Sequence, residues 1–193
     1  MKILKISFFG LILIYFVACI VDYFYYQDRR TSALFSGEVQ EWNRVFEGEI
    51  DTKIAIFGSS RAFIHIDPKI LEENLHQSTY NLGLNGSKFK MQHYRFDEYL
   101  RHNPSPKTIV WVLDSFSFSH SDKDFQPNQY VPFMLWNLKL YRYLKDDHDF
   151  EFADFFLPFY RFRDQKYWTA ELKKAKSVQL NQVGMNYHYL LLS

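Results

Sequence analysis

Residues 53–62 read Lys53-Ile54-Ala55-Ile56-Phe57-Gly58-Ser59-Ser60-Arg61-Ala62 and restrict the fold more than any other stretch. A run suited to a strand passes directly into a glycine, two serines and an arginine. A strand that is apolar on both faces belongs inside a parallel sheet, covered by helices on each side. Ligands of such sheets bind beyond the carboxyl ends of the strands, where Gly58, Ser59 and Ser60 must lie. A serine at that turn sits near the positive end of the next helix, among backbone N–H groups. That setting suits either an attacking hydroxyl or a bound anion.

The pattern repeats downstream. Asp67 is a suitable N-cap and Pro68 a good first helical residue, so a helix is expected from there to about His76. Residues 79–82 (Thr-Tyr-Asn-Leu) form a short second strand ending in Gly83-Leu84-Asn85-Gly86-Ser87. A helix over 88–102 is stopped by Asn103-Pro104, and residues 108–113 give a third apolar strand, expected to be buried and ending at Asp114. Strand, helix, strand, helix, strand with right-handed crossovers makes the three strands parallel and predicts an α/β fold.

Upstream, no charge interrupts the chain between Lys5 and Asp22, and Tyr23-Phe24-Tyr25-Tyr26 extends the apolar run. As a helix, residues 6–26 span ~31 Å, about one hydrocarbon thickness. Aromatics at the exit suit the headgroup boundary, and Lys2 and Lys5 favour a cytoplasmic amino terminus, with Arg29 and Arg30 pulling the other way. Bulky aromatics after Val21 disfavour a cleaved signal peptide, and the apolar run continues past Cys19, which disfavours a lipoprotein box. The expectation is an uncleaved anchor at 1–30, an exposed amphipathic helical linker at 31–50, and an α/β domain from 51 to 193 outside the cytoplasm.

Composition adds exclusions. Of 193 residues, Lys and Arg exceed Asp and Glu by a formal net charge of only +1, which argues against nucleic acid as a partner. One cysteine permits neither a disulfide framework nor a Cys-based metal site, and no cofactor is implied. Aromatics make up 20% of the chain, and 17 of them fall between Ser115 and Trp168. Around residues 135–143 and 155–163 they interleave with cations. Either helices cover one edge of the sheet there, or the segment is a lid or lies on a membrane with its Arg and Lys at the headgroups.

Phe57-Gly58-Ser59-Ser60-Arg61 resembles the first block of the SGNH (GDSL-type) hydrolases. The form with serine before the nucleophile is similar to membrane-anchored members that handle acyl groups on bacterial surface polymers, teichoic-acid D-alanylation among them. The resemblance covers about residues 53–114. It implies a flavodoxin-like parallel sheet with flanking helices, with Ser60 as nucleophile and Gly86 as an oxyanion donor within Asn81-Leu82-Gly83-Leu84-Asn85-Gly86. Taken alone, Gly83 and Gly86 are ordinary turn glycines.

Two parts of the family pattern are missing. Where a Gly-x-Asn-Asp block is expected, the chain reads Leu113-Asp114-Ser115-Phe116-Ser117, which leaves Asp114 as a candidate site residue or a turn cap. No Asp-x-x-His occurs anywhere, and at His188 the aspartate position holds Met185. His188, His65 and His120 remain candidate bases, while His76, His93 and His102 show no metal-ligand spacing. The resemblance implies an esterase or acyltransferase acting on acyl groups of an envelope polysaccharide, with the bilayer as its other partner. A non-catalytic module that binds an anionic or carbohydrate polymer through Gly58-Ser59-Ser60-Arg61 is the alternative. Without an oriented base, serine is a weak nucleophile, and slow turnover is expected.

Overall fold

The computed structural model describes residues 2–31, 38–118, 127–146 and 150–163. Three parallel strands form its sheet in the order β2-β1-β3: β1 is Ile54–Gly58, β2 is Thr79–Asn81 and β3 is Thr108–Val112. Ile54 pairs with Thr79 on one side and Thr108 on the other, and the β1–β3 ladder runs on to Gly58 opposite Val112. All five residues of β1 are buried, as its two-faced apolar pattern requires.

β3 departs from the expectation of a buried strand. Ile109 is 43% and Val110 36% exposed, although the side chains are as apolar as those of β1. The difference is positional. Among the described residues β3 is an edge strand that pairs only with β1, so its outer surface lacks the cover that a central strand receives.

Helix α1 (Lys2–Thr31) precedes the domain and contains Lys5–Gln27, 23 residues with mean hydropathy 2.2, long and apolar enough to cross a membrane. Helix α2 (Glu38–Glu47) follows. It is amphipathic, as expected, but it is no exposed spacer. Trp42 and Val45 are fully buried, because its apolar face meets α5 (Phe89–His102). Asn103, the residue that stops α5, fastens the two ends together. Its side chain accepts from the Ile50 N–H at 2.9 Å and donates to the Val45 carbonyl at 2.8 Å. Short helices α3 (Ser60–His65) and α4 (Pro68–Leu75) connect β1 to β2, with Asp67 capping α4 through the Lys69 N–H at 2.9 Å.

Two apolar clusters result. Val45, Ile50, Ala55, Phe57, Leu82 and Tyr99 join the sheet to α2 and α5. A larger one gathers Trp42, Tyr94, Tyr130, Phe133, Met134 and Phe155, and includes Tyr26 from α1. The described part of the aromatic-rich segment from Pro127 on therefore packs outside α2 and α5 and against α1. It does so through a 3₁₀ stretch (Pro127–Phe133), α6 (Leu138–Leu144), α7 (Phe152–Phe156) and a last 3₁₀ turn (Tyr160–Phe162). An aromatic side chain removes roughly 150–250 Å² from water on burial, which is how so many of them stabilise a domain with a three-stranded sheet.

Helix α1 is joined to this segment by polar bonds as well. The Tyr15 hydroxyl donates to the Phe156 carbonyl, and Arg161 forms a bidentate pair with Asp22, Nη1 to Oδ2 at 2.6 Å and Nη2 to Oδ1 at 2.8 Å. Both charged side chains are fully buried.

Candidate functional site at the carboxyl edge of the sheet

The backbone runs out of β1 at Gly58 and out of β3 at Val112, which are register partners. Ser60 and Asp114 therefore lie two residues past a common level, on the same edge of the sheet. A Cβ at Gly58 would stand 2.7 Å from the Val112 carbonyl oxygen, so the two strand exits touch backbone to backbone.

Ser59 is the serine that this contact brings onto Asp114. Its hydroxyl is fully buried, donates to Asp114 Oδ2, and caps α3 by accepting from the Arg61 N–H at 3.3 Å. Arg61 Nη1 lies 2.9 Å from Asp114 Oδ1. That is a charge contact without the alignment of a hydrogen bond, so this buried oxygen keeps an acceptor site without an aligned donor. Ser59, Arg61 and Asp114 thus form one triad of contacts across two strand exits.

Ser60 is the first residue of α3 and is partly exposed. Its hydroxyl has no hydrogen-bond partner among the described residues. The second loop closes over α3 from the β2 side. The Leu84 N–H donates to the Gly58 carbonyl at 2.8 Å, and Asn81 Nδ2 donates to the carbonyls of Ala62 and Ile66, each at 2.8 Å. Gly83 is required by this approach, because a Cβ there would stand 2.6 Å from the Phe63 nitrogen. Gly86 has φ +66°, the left-handed turn that leads into α5. The two glycines, alike in sequence, have different work: one makes room and the other turns the chain.

Of the candidate bases, His188 and His120 lie outside the described residues. His65 ends α3, and among the described residues it forms no hydrogen bond to Ser60. His102 stands 3.3 Å from Glu98, and His93 Nδ1 is 2.9 Å from the Tyr143 hydroxyl, so both belong to α5 and its surroundings. Reasoning from the sequence placed Ser60 and Asp114 on one edge but missed the Ser59–Asp114 bond. The available signal was positional: each residue follows the carboxyl end of one of two adjacent strands.

The end of α1 lies toward the opposite edge of the sheet, since Arg30 pairs with Glu47 and lines one cleft with Arg101 and His102 at the end of α5. Helix α5 runs antiparallel to the strands it connects, so its last residues, near α2 and α1, mark the amino edge of the sheet. The five-residue β1 separates the two edges by about 16 Å. No family model, no curated protein and no solved structure matches this chain.

Proposed function

We propose that this protein is a membrane-anchored, extracytoplasmic SGNH-like serine protein that handles acyl groups of an envelope polysaccharide, as an esterase or acyltransferase. The observation that carries the reading is the Ser60 hydroxyl. It stands at the start of α3, beyond the central strand, partly exposed and without a hydrogen-bond partner among the described residues, while Ser59 next to it is held by Asp114. The strand order β2-β1-β3, all parallel, is also that of the first three strands of a flavodoxin-like sheet.

In this reading the Ser60 oxygen bonds to the acyl carbon, and the polymer hydroxyl leaves with a proton. Water or a second hydroxyl then takes the acyl group. Within the 83–87 loop the N–H groups of Gly83, Leu84 and Ser87 already bond Asn81, Gly58 and Leu84, so in this reading the Gly86 N–H is the loop's donor for the developing oxyanion. The edge is opposite the one nearest the end of α1, which suits a polymer better than a lipid as substrate. The anion-binding alternative is weaker, since the Arg61 guanidinium already lies against Asp114.

A fluorophosphonate probe with mass-spectrometric site mapping tests this. Slow labelling of Ser60 is expected, lost in Ser60→Ala and retained in Ser59→Ala. Labelling that persists in Ser60→Ala would overturn the assignment.

A further inference from the structure

A cavity of about 1060 Å³ lies at the other end of the domain, between the anchor helix and the aromatic segment. It exceeds the roughly 300–1,000 Å³ of ordinary small-molecule sites. One wall is α1 itself, from Cys19 through Tyr23 and Tyr26 to Arg30, which covers about 16 Å of helix. Since the apolar span ends at Gln27, the cavity straddles the level at which the helix leaves the hydrocarbon.

Its lining combines two chemistries. Phe133, Trp136 and Leu138 add to the aromatics of α1, and Arg101 and Arg142 add to Arg30. The cations differ in how far they are already satisfied. Lys139 is 3.1 Å from Glu98 and Arg30 pairs with Glu47. Arg101 reaches Glu98 only at 3.9 Å, and Arg142 has no ion-pair partner among the described residues. Two exposed guanidinium groups thus stand over an apolar slot that adjoins a membrane-length helix.

We infer that this cleft holds one anionic glycerophospholipid, its acyl chains against Tyr23, Phe133 and Trp136 and its phosphate between Arg101 and Arg142. Paired donors in fixed planes suit a phosphate, and basic pockets beside membrane helices suit anionic headgroups. Charge complementarity selects an anionic lipid over a zwitterionic one. The site is separate from Ser60 and does not depend on its chemistry.

The test uses the full chain in nanodiscs of phosphatidylcholine with a minor share of phosphatidylglycerol, followed by native mass spectrometry. One retained phosphatidylglycerol per chain is expected. Arg101→Ser with Arg142→Ser should lower its retention roughly 10–30-fold, the factor two basic side chains supply together at a lipid headgroup. Both side chains are exposed, so the melting temperature should not change. Cys19→Trp, which narrows the slot from the anchor side, should lower retention of both lipids. Equal retention of the two lipids would overturn the inference, as would an unchanged double variant. Displacement by glycerol phosphate alone would instead show a soluble-anion site, and would overturn it too.

Discussion

Breaking the Asp22–Arg161 pair should detach the aromatic segment from α1. Asp22 receives three bonds from one short stretch: two from the Arg161 guanidinium, at 2.6 and 2.8 Å, and one from the Phe159 N–H at 2.8 Å. The guanidinium carbon also lies 4.3 Å from the centre of the Phe162 ring and 5.9 Å from that of Tyr26. With both side chains fully buried, Asp22→Ala leaves a charge in an apolar setting. The loss is about 3–5 kcal/mol, a large share of a total stability near 5–15 kcal/mol. For a chain of this size that corresponds to a melting decrease of about 6–20 °C in mild detergent. Asp22→Leu combined with Arg161→Met removes both charges and should recover most of the loss, because burying a well-packed apolar pair needs no desolvation of ions. The assay is thermal unfolding of the wild type, Asp22→Ala and the double variant, with proteolysis at residues 150–163 as a local readout. A double variant no more stable than Asp22→Ala would refute the reasoning. So would an Asp22→Ala loss below about 1 kcal/mol, the range of an exposed pair.

Two further outcomes are expected. Gly83→Ala should destabilise by about 1–3 kcal/mol in denaturant unfolding, since its Cβ would meet the Phe63 backbone at 2.6 Å; an unchanged midpoint would show that α3 can move aside. Burial, followed by the Asp97 and Glu98 carboxylates, pushes the Tyr143 hydroxyl up to about 12. The unfolded chain therefore loses this proton first as pH rises, so stability present below about pH 10 should decline between there and pH 12, less steeply in Tyr143→Phe. Identical slopes in the two proteins would refute it.

Much of this protein is legible in its order of residues because the signals are local. Five apolar residues in a row make β1 central and buried, Asp67-Pro68 starts α4, and Asn103-Pro104 ends α5. A run without charge from Ile6 to Val21 needs no partner to be read as a membrane-length helix. Other features depend on which faces meet, and no local rule sets that. β3 is as apolar as β1, yet its place at the edge leaves Ile109 and Val110 exposed. Arg95 is a cation of α5, yet it is buried, 2.7 Å from Glu38 and over the Trp42 ring, because α2 lies across it. Ser59 and Ser60 are equivalent in composition and adjacent in sequence. Only the approach of the β3 exit directs one to Asp114 and leaves the other open. Asp22 finds its counter-charge 139 residues away. Chemical type is local, and a residue's type fixes what it must be given once buried. Which residue supplies it is decided by the packing of distant faces, and that belongs to the tertiary structure alone.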